Sequence, residues 1–405
     1  MFKKKKWVAL VRGEQWIVAK TTHRRTKLHI SRLAEYQAGT QELPNSSVVT
    51  TTAGPDLATS EVSGGMLDRL YGATGQAQSD TTGLSESSRS PIQREPAFTQ
   101  VEQLKRWLRK EKIPLKDLSI AVSCPGVITR MITLPLLSGK ELSKLLTEQV
   151  DQYFTFNAVD YVIDYRVLTK FEEDGQKRQR VLLAALPKFQ WEKWWSTWQM
   201  LGVKPQVVDL ASDSLARLYS QLESDHLVKK RKKQDPAASS VKLDVAIVDL
   251  NQGRVEFVLL EQGIFFLYSD LGIDLTDLAE ARDYGIDSRL ANSAESLPEG
   301  GLPLSLEGEK RKMVEQALTP IFHELTGFFN FFATRHFGKT VDRIYLTGEY
   351  ADIPLLIELF EYYLEVPTQV GFPAGWRPYF TRRLRNQRKD WMKYGSLYGL
   401  ALRED

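Results

Sequence analysis

Cysteine is nearly missing from this sequence: Cys124 is the one example in 405 residues. An internal disulfide and a thiolate metal site are thereby excluded. Long apolar runs are missing too, since none nears the ~18 residues that a membrane-spanning helix needs. The N-terminal MFKKKKWVALV imitates a secretory signal, but its apolar stretch is five residues before Arg12. That is shorter than the ~7–15 residues of a signal's apolar region, which places the mature chain in the cytoplasm. The five histidines (His23, His29, His226, His323, His336) show no metal-ligand spacing. No G-x-S-x-G elbow offers a serine nucleophile. Familiar hydrolytic chemistry is not expected, and no metal ligand or catalytic residue is assigned.

What is present begins with size. At 405 residues the chain exceeds the length at which one core stops growing, so two or more lobes are expected. The net charge of +3 hides three basic clusters: Lys3 to Lys6, Lys229 to Lys233, and Arg382 to Lys389. Taken singly, each reads as a solvated tail or loop. Near an anionic inner leaflet each such residue adds ~1 kcal/mol of attraction, enough together for loose peripheral attachment to the membrane surface. Neither an aromatic-and-basic RNA signature nor a helix-turn-helix pattern accompanies them, so nucleic acid is not the expected partner.

The pattern along the chain repeats once. Residues 7–20, WVALVRGEQWIVAK, and residues 244–266, DVAIVDLNQGRVEFVLLEQGIFF, each read as strand, glycine-containing polar turn and strand. Residues 37–96 are rich in Ser, Thr, Gly, Gln and Pro with Tyr71 the only aromatic, a composition that cannot bury enough apolar surface to offset its ordering entropy. A mobile insertion is expected there. T-Q-V-E at Thr99 predicts a capped helix, and Ser138 with Glu141 predicts a second. Strands are expected at DLSIAVSCPG, VITRMITLP, YVIDYRVL and QRVLLAAL. Trp191, Trp194, Trp195 and Trp198 form one helical stripe, expected in a core. In the second half a glycine-rich stretch, 285–308, precedes a helix from about Leu306 to His336, then the strand VDRIYLTG, a helix over 353–364 and a short strand near Thr368. This order argues α/β lobes with mixed sheets.

One motif misleads. Residues 333–340, ATRHFGKT, satisfy the loose form of a P-loop, but a working P-loop follows a strand and opens a helix. Here a helix ends and a strand follows, so Gly338 reads as a helix C-cap.

Residues 118–210 carry a family resemblance. A strand holds Arg130 and ends in Leu134–Pro135, and Glu141 and Leu142 open the next helix. Tyr153 and Phe156 follow with Thr155 in place of the family's proline, then Asp164 and Tyr165. This order resembles the type IV pilus assembly protein PilM family, which is actin-like and FtsA-related, and the ending YGSLYGLALRED resembles its closing helix. The resemblance implies a duplicated actin-like (RNase H-like) two-lobe α/β fold with an inserted α/β subdomain in the first lobe. The lobe boundaries it implies are 1–36 and 97–120 for the start of the first lobe, 37–96 for the insertion and 121–190 for the inserted subdomain. The first lobe resumes at 191–228, a basic linker covers 229–242, the second lobe spans 243–375, and 376–405 return to the first lobe.

It also implies a nucleotide site, in which two hairpin turns and an adenosine element face the phosphates. Here the elements are half kept. Gly13 remains in the first turn while Val11 replaces the expected aspartate. Asp249 remains in the second while Asn251 replaces a glycine, an exchange that asparagine's tolerance of the left-handed backbone permits. Gly348 remains in the third while Glu349 replaces a glycine. A carboxylate ~4 Å from a phosphate oxygen costs up to ~4 kcal/mol at an effective dielectric of 20. The expectation is a degenerate site with no cofactor, Asp249 reading as a turn cap. ATP with magnesium, held by Asp249, Gly13 and Arg12 in an actin-like ATPase, stays open as the alternative. By resemblance the partner is the cytoplasmic tail of a PilN-like inner-membrane protein, bound near Arg130, Ile132, Val150 and Tyr153. The chain is then a scaffold of pilus, competence or secretion machinery, peripheral to the inner membrane, with oligomerisation open.

Overall fold

The computed structural model describes residues 4–24, 26–38, 95–154, 156–233, 242–283, 304–384 and 390–403. Most of the expected insertion, Thr155, most of the glycine-rich 285–308 stretch, and residues 234–241 of the expected linker lie outside them.

The chain opens with strands β1 (Lys4–Arg12), β2 (Gln15–Arg24) and β3 (Lys27–Gln37), helix α1 (Glu95–Lys110) and strand β4 (Lys116–Ser123). Strand β5 (Ile128–Pro135), helix α2 (Gly139–Gln149) and strands β6 (Tyr161–Glu173) and β7 (Gln176–Pro187) follow. Helix α3 (Lys188–Leu201), strand β8 (Lys204–Leu210) and helix α4 (Ala211–Lys233) end the first half. The second runs β9 (Val245–Asn251), β10 (Arg254–Glu261), β11 (Ile264–Asp270), α5 (Thr276–Asp283), α6 (Leu304–Arg335) and β12 (Arg343–Gly348). It closes with α7 (Leu356–Leu364), β13 (Thr368–Val370), β14 (Tyr379–Phe380) and α8 (Gly395–Ala401).

The strands form three sheets, ordered β14-β3-β2-β1-β4-β8, β11-β10-β9-β12-β13 and β5-β7-β6. The two larger sheets sandwich helices α4 and α8. Val8 and Leu10 of β1, Val245 and Ile247 of β9, Leu215 and Tyr219 of α4, and Leu397 and Tyr398 of α8 share one core. The outer face of the first sheet packs on α1 and α3 through Ala9, Val11, Leu104, Leu108 and Trp198. The outer face of the second packs on α5, α6 and α7 through Val248, Phe257, Leu278, Leu325 and Phe360. A strand buried on both faces reads as a continuous apolar run, which explains WVALV and the fully buried β9. The third sheet carries α2 on one side, where Leu134, Leu142, Leu146, Val181 and Leu183 make a separate core.

Several boundaries depart from expectation for local reasons. Helix α1 starts at Glu95, before Thr99, with Pro96 in the first turn where its missing N–H is tolerated. Helix α7 starts at Leu356 because Pro354 disfavours helix at Ile353 and Leu355 has φ +77°. Helix α4 runs on to Lys233, into the stretch expected as linker, since Lys and Arg are good helix formers and favourable at a C-terminus. The tryptophan stripe divides: Trp194 and Trp198 are buried while Trp195 is 46% exposed. The capping box at Ser138 and Glu141 is present, Ser138 N–H donating to Glu141 Oε2 at 2.8 Å and Glu141 N–H to Ser138 Oγ at 3.4 Å.

Candidate functional site

The two repeated hairpins meet across the central core. In the first, Arg12 pairs with Gln15, leaving Gly13 and Glu14 as the turn; in the second, Asn251 pairs with Arg254, leaving Gln252 and Gly253. Side chains alternate along a strand. Leu10 faces the core between the sheets and so does Arg12, whereas Val11 is buried on the opposite face beneath α1 and α3. The missing aspartate at Val11 is thus silent about the junction. The residue that stands where Asp249 stands in the second hairpin, two before the last paired residue, is Leu10.

Arg12 fills the junction. Its Nη2 donates to Asp249 Oδ2 at 3.1 Å, with side chains 12% and 2% exposed. Asp249 is not a turn cap, because β9 continues past it to Asn251. Nor does Asn251 supply a left-handed turn residue; positive φ falls on Gly253. Asn251 instead accepts from the Glu349 N–H at 3.3 Å through Oδ1, tying the second hairpin to the adenosine element. Gly348, at φ +100°, lies so close to β9 that a Cβ there would sit 2.3 Å from the Leu250 carbonyl oxygen. Gly13, Asp249, Asn251, Gly348 and Glu349 therefore surround one junction. Arg12 Nε, Asp249 Oδ1 and Asn251 Nδ2 are buried there without hydrogen-bond partners.

Burial pushes the Asp249 carboxyl up from 3.8 to about 6, against the pull of the Arg12 guanidinium, and Glu256 pushes the same way. The folded chain therefore holds this proton more tightly than the unfolded one. That contribution to stability is fully present below about 3.8 and is lost as pH rises through about 6. Above that pH the buried carboxylate is charged, and Arg12 answers it. Arg12→Ala is expected to destabilise by about 3 kcal/mol near pH ~8 and by far less near pH ~5, measured as denaturant midpoints. Equal losses at both pH values would remove the ion pair as the cause.

A second bridge was not legible in the sequence. Ser123, ending β4, donates to Glu256 Oε1 at 3.0 Å, and Arg254 Nη1 donates to Ser123 Oγ at 2.8 Å. Tyr268 OH also donates to Glu256 Oε1 at 2.8 Å, and Arg254 Nη2 to Asp270 at 2.6 Å. The available signal was Glu256, a carboxylate set among the apolar residues of VEFVLL. Cys124, beside this network, is buried, and burial pushes its thiol up to about 12. The P-loop mimic is spent elsewhere. Lys339 pairs with Asp244 and Asp342, and Gly338 N–H donates to Ala333 O at 2.8 Å as a helix C-cap.

Arg130, Ile132, Val150 and Tyr153 are brought together. Arg130 and Ile132 lie on the α2 side of β5, and Arg130 Nη1 donates to the Tyr153 carbonyl. Ile132, Val150 and Tyr153 pack half-buried on the core of the third sheet. Strand β5 is the edge of that sheet and runs beside β11, with Met131 packed into the second lobe's outer core.

Two lobes opening on matched hairpins, with two helices held between the sheets, define an actin-like protein. The chain resembles a solved structure described as a PilM–PilN type IV pilus biogenesis complex, with TM-score 0.62 and 16% identity over 98% of this chain and 97% of that one. Ethanolamine utilization protein EutJ from Carboxydothermus hydrogenoformans gives TM-score 0.39 at 10% identity, covering 99% and 90%. A Bacteroides thetaiotaomicron protein of actin-like ATPase fold gives 0.39 at 8%, covering 98% and 95%. No curated protein matches. Residues 93–405 match the family model of the type IV pilus assembly protein PilM, and the chain belongs to that family. No helix of the described residues is long and apolar enough to cross a membrane.

Proposed function

We propose that the chain is a non-catalytic actin-like scaffold of type IV pilus assembly, or of a related competence or secretion machine. It works at the cytoplasmic face of the inner membrane and holds the cytoplasmic tail of a PilN-like membrane protein. Family membership and the likeness to a PilM–PilN complex support the pilus role and the partner. The Arg12–Asp249 pair carries the non-catalytic part. A magnesium nucleotide needs a carboxylate free to order the metal, and the one at the junction is already neutralised by a guanidinium. Glu349 adds a second acid beside the phosphate path.

One observation favours a second reading, an ATPase with a rearranged site. The unpartnered donors Arg12 Nε and Asn251 Nδ2 are groups that a phosphate oxygen could accept from. Titration calorimetry separates the two. The purified protein is expected neither to retain nor measurably to bind ATP with magnesium. A dissociation constant in the low micromolar range, ~8 kcal/mol of binding, that Asp249→Ala abolishes would establish the ATPase reading instead.

A further inference from the structure

Among the described residues the outer face of the first sheet is covered over only part of its length, and its register shows where cover ends. Successive rows across β1, β2 and β3 are Val11–Trp16–Tyr36, Ala9–Val18–Ala34 and Trp7–Lys20–Arg32. Beyond the irregularity at Ser31 comes Lys5–Thr22–His29, and β14 extends that row with Tyr379. The first two rows lie in the core under Leu104 and Leu108 of α1. Of the third row only the partly buried Trp7 still touches that core, and among the described residues the fourth row does not. Lys5, His29, Arg32 and Tyr379 are exposed, as are Lys27 on β3 and Arg382 and Arg383 just after β14. A cavity of ≈ 220 Å³ opens on this face between Trp7, Ser31, Arg32, Arg383 and Glu111.

The sequence scatters these cations over nearly the whole chain, so no linear cluster announces them. The fold gathers Lys5, Lys20, Lys27, Arg32, Arg382 and Arg383 around one sheet surface, and Glu111 is the carboxylate that lines its cavity among the described residues. The aromatic rings decide what kind of anion fits. Single-stranded nucleic acid needs free ring faces on which bases stack. Here the Lys20 ammonium lies 5.5 Å from the Trp7 ring centroid. His29 and Tyr379 stack on each other at 4.9 Å and 19°. Rings engaged in this way, among long cationic side chains on a broad sheet face, suit the headgroup layer of a bilayer, where Trp and Tyr are enriched.

We propose that this uncovered face docks directly on an anionic phospholipid surface, its lysines and arginines meeting lipid phosphates while Trp7 and Tyr379 lie at headgroup level. The inference rests on the inner-membrane part of the proposed function, and adds to it a contact that needs no partner tail.

The test is flotation of the purified full-length chain with vesicles of phosphatidylethanolamine and phosphatidylglycerol, against vesicles of phosphatidylcholine alone. The protein is expected to float with the anionic vesicles only. Raising salt from about 0.1 M to about 1 M, which shrinks the screening length from about 10 Å to about 3 Å, should release it. The triple variant Lys27→Glu, Arg32→Glu, Arg383→Glu is expected to lose more than about tenfold in vesicle binding. A variant with the same charge change at exposed Lys170, Lys177 and Lys193 should bind as wild type. Circular dichroism confirms that both are folded. Absence of flotation, equal binding by both triple variants, or equal retention of duplex DNA would overturn the proposal. Binding of a synthetic peptide from the N-terminal tail of the PilN-like protein is measured on the same preparations. If the charge-reversed face still binds that peptide, the scaffold reading stands whatever the vesicles show.

Discussion

Gly399→Ala is expected to destabilise the folded chain by at least about 3 kcal/mol, the upper end of what overpacking costs. Helix α8 is almost entirely buried between the two large sheets, with Gly395 to Ala401 all inaccessible. It crosses α4 so closely that a Cβ on Gly399 would lie 1.7 Å from the Ser214 carbonyl oxygen, and one on Gly395 would lie 2.7 Å from Leu215 Cδ1. The first obstacle is backbone and cannot rotate away, so the helices must part. Parting them strips contacts from the core that Leu215, Tyr219, Leu397 and Tyr398 share with both sheets. Gly139→Ala is the matched control, since nothing lies within 4 Å of a Cβ there and it opens an ordinary helix. Denaturant midpoints of the two variants give the answer. A wild-type midpoint for Gly399→Ala would show that α8 is not clamped on α4.

The same helix shows which parts of the molecule can be read from the sequence. Two glycines four apart in YGSLYGLALRED are visible as a close-packing face, but the helix they meet is not. Arg217 of α4, which donates to the Gly399 carbonyl at 3.4 Å, is 182 residues away. Three signals carried by neighbouring residues survived folding, the Ser138–Glu141 box, the C-cap at Gly338 and the paired hairpins, while the box at Thr99 yielded to a helix that starts a turn earlier. Signals that depend on side-chain parity failed by one residue. Spacing from Gly13 marks Val11 as the eroded position, yet the strand puts Val11 under the outer helices and presents Arg12 to the junction. In the sequence Asn251 stands out for its backbone tolerance, but its part is played by its side chain, which accepts from the Glu349 N–H. The duplicated fold was legible because both hairpins repeat a local pattern. The junction was not, because it joins residues 237 apart in sequence.

The proposed partner site carries the largest expected functional effect. Arg130→Glu and Tyr153→Arg are each expected to abolish co-purification with the PilN-like inner-membrane protein while leaving the circular dichroism spectrum unchanged. A disordered tail needs apolar pockets and a backbone edge to pair with. Strand β5 supplies the edge, since β7 is the one strand to which it hydrogen-bonds among the described residues, and Ile132, Val150 and Tyr153 supply half-buried apolar surface beside it. Arg130 fixes the turn after α2 through its bond to the Tyr153 carbonyl, so reversing its charge releases that turn. Loss of one anchor of this kind typically costs 2–4 kcal/mol, about thirtyfold or more in affinity. Because the four residues lie outside the main interlobe core, the fold should tolerate both changes. Should either variant remain folded and still be recovered with the membrane protein at wild-type levels, the third sheet is not the docking surface. The exposed side of α3, where Phe189, Trp195 and Met200 face solvent, then becomes the place to mutate.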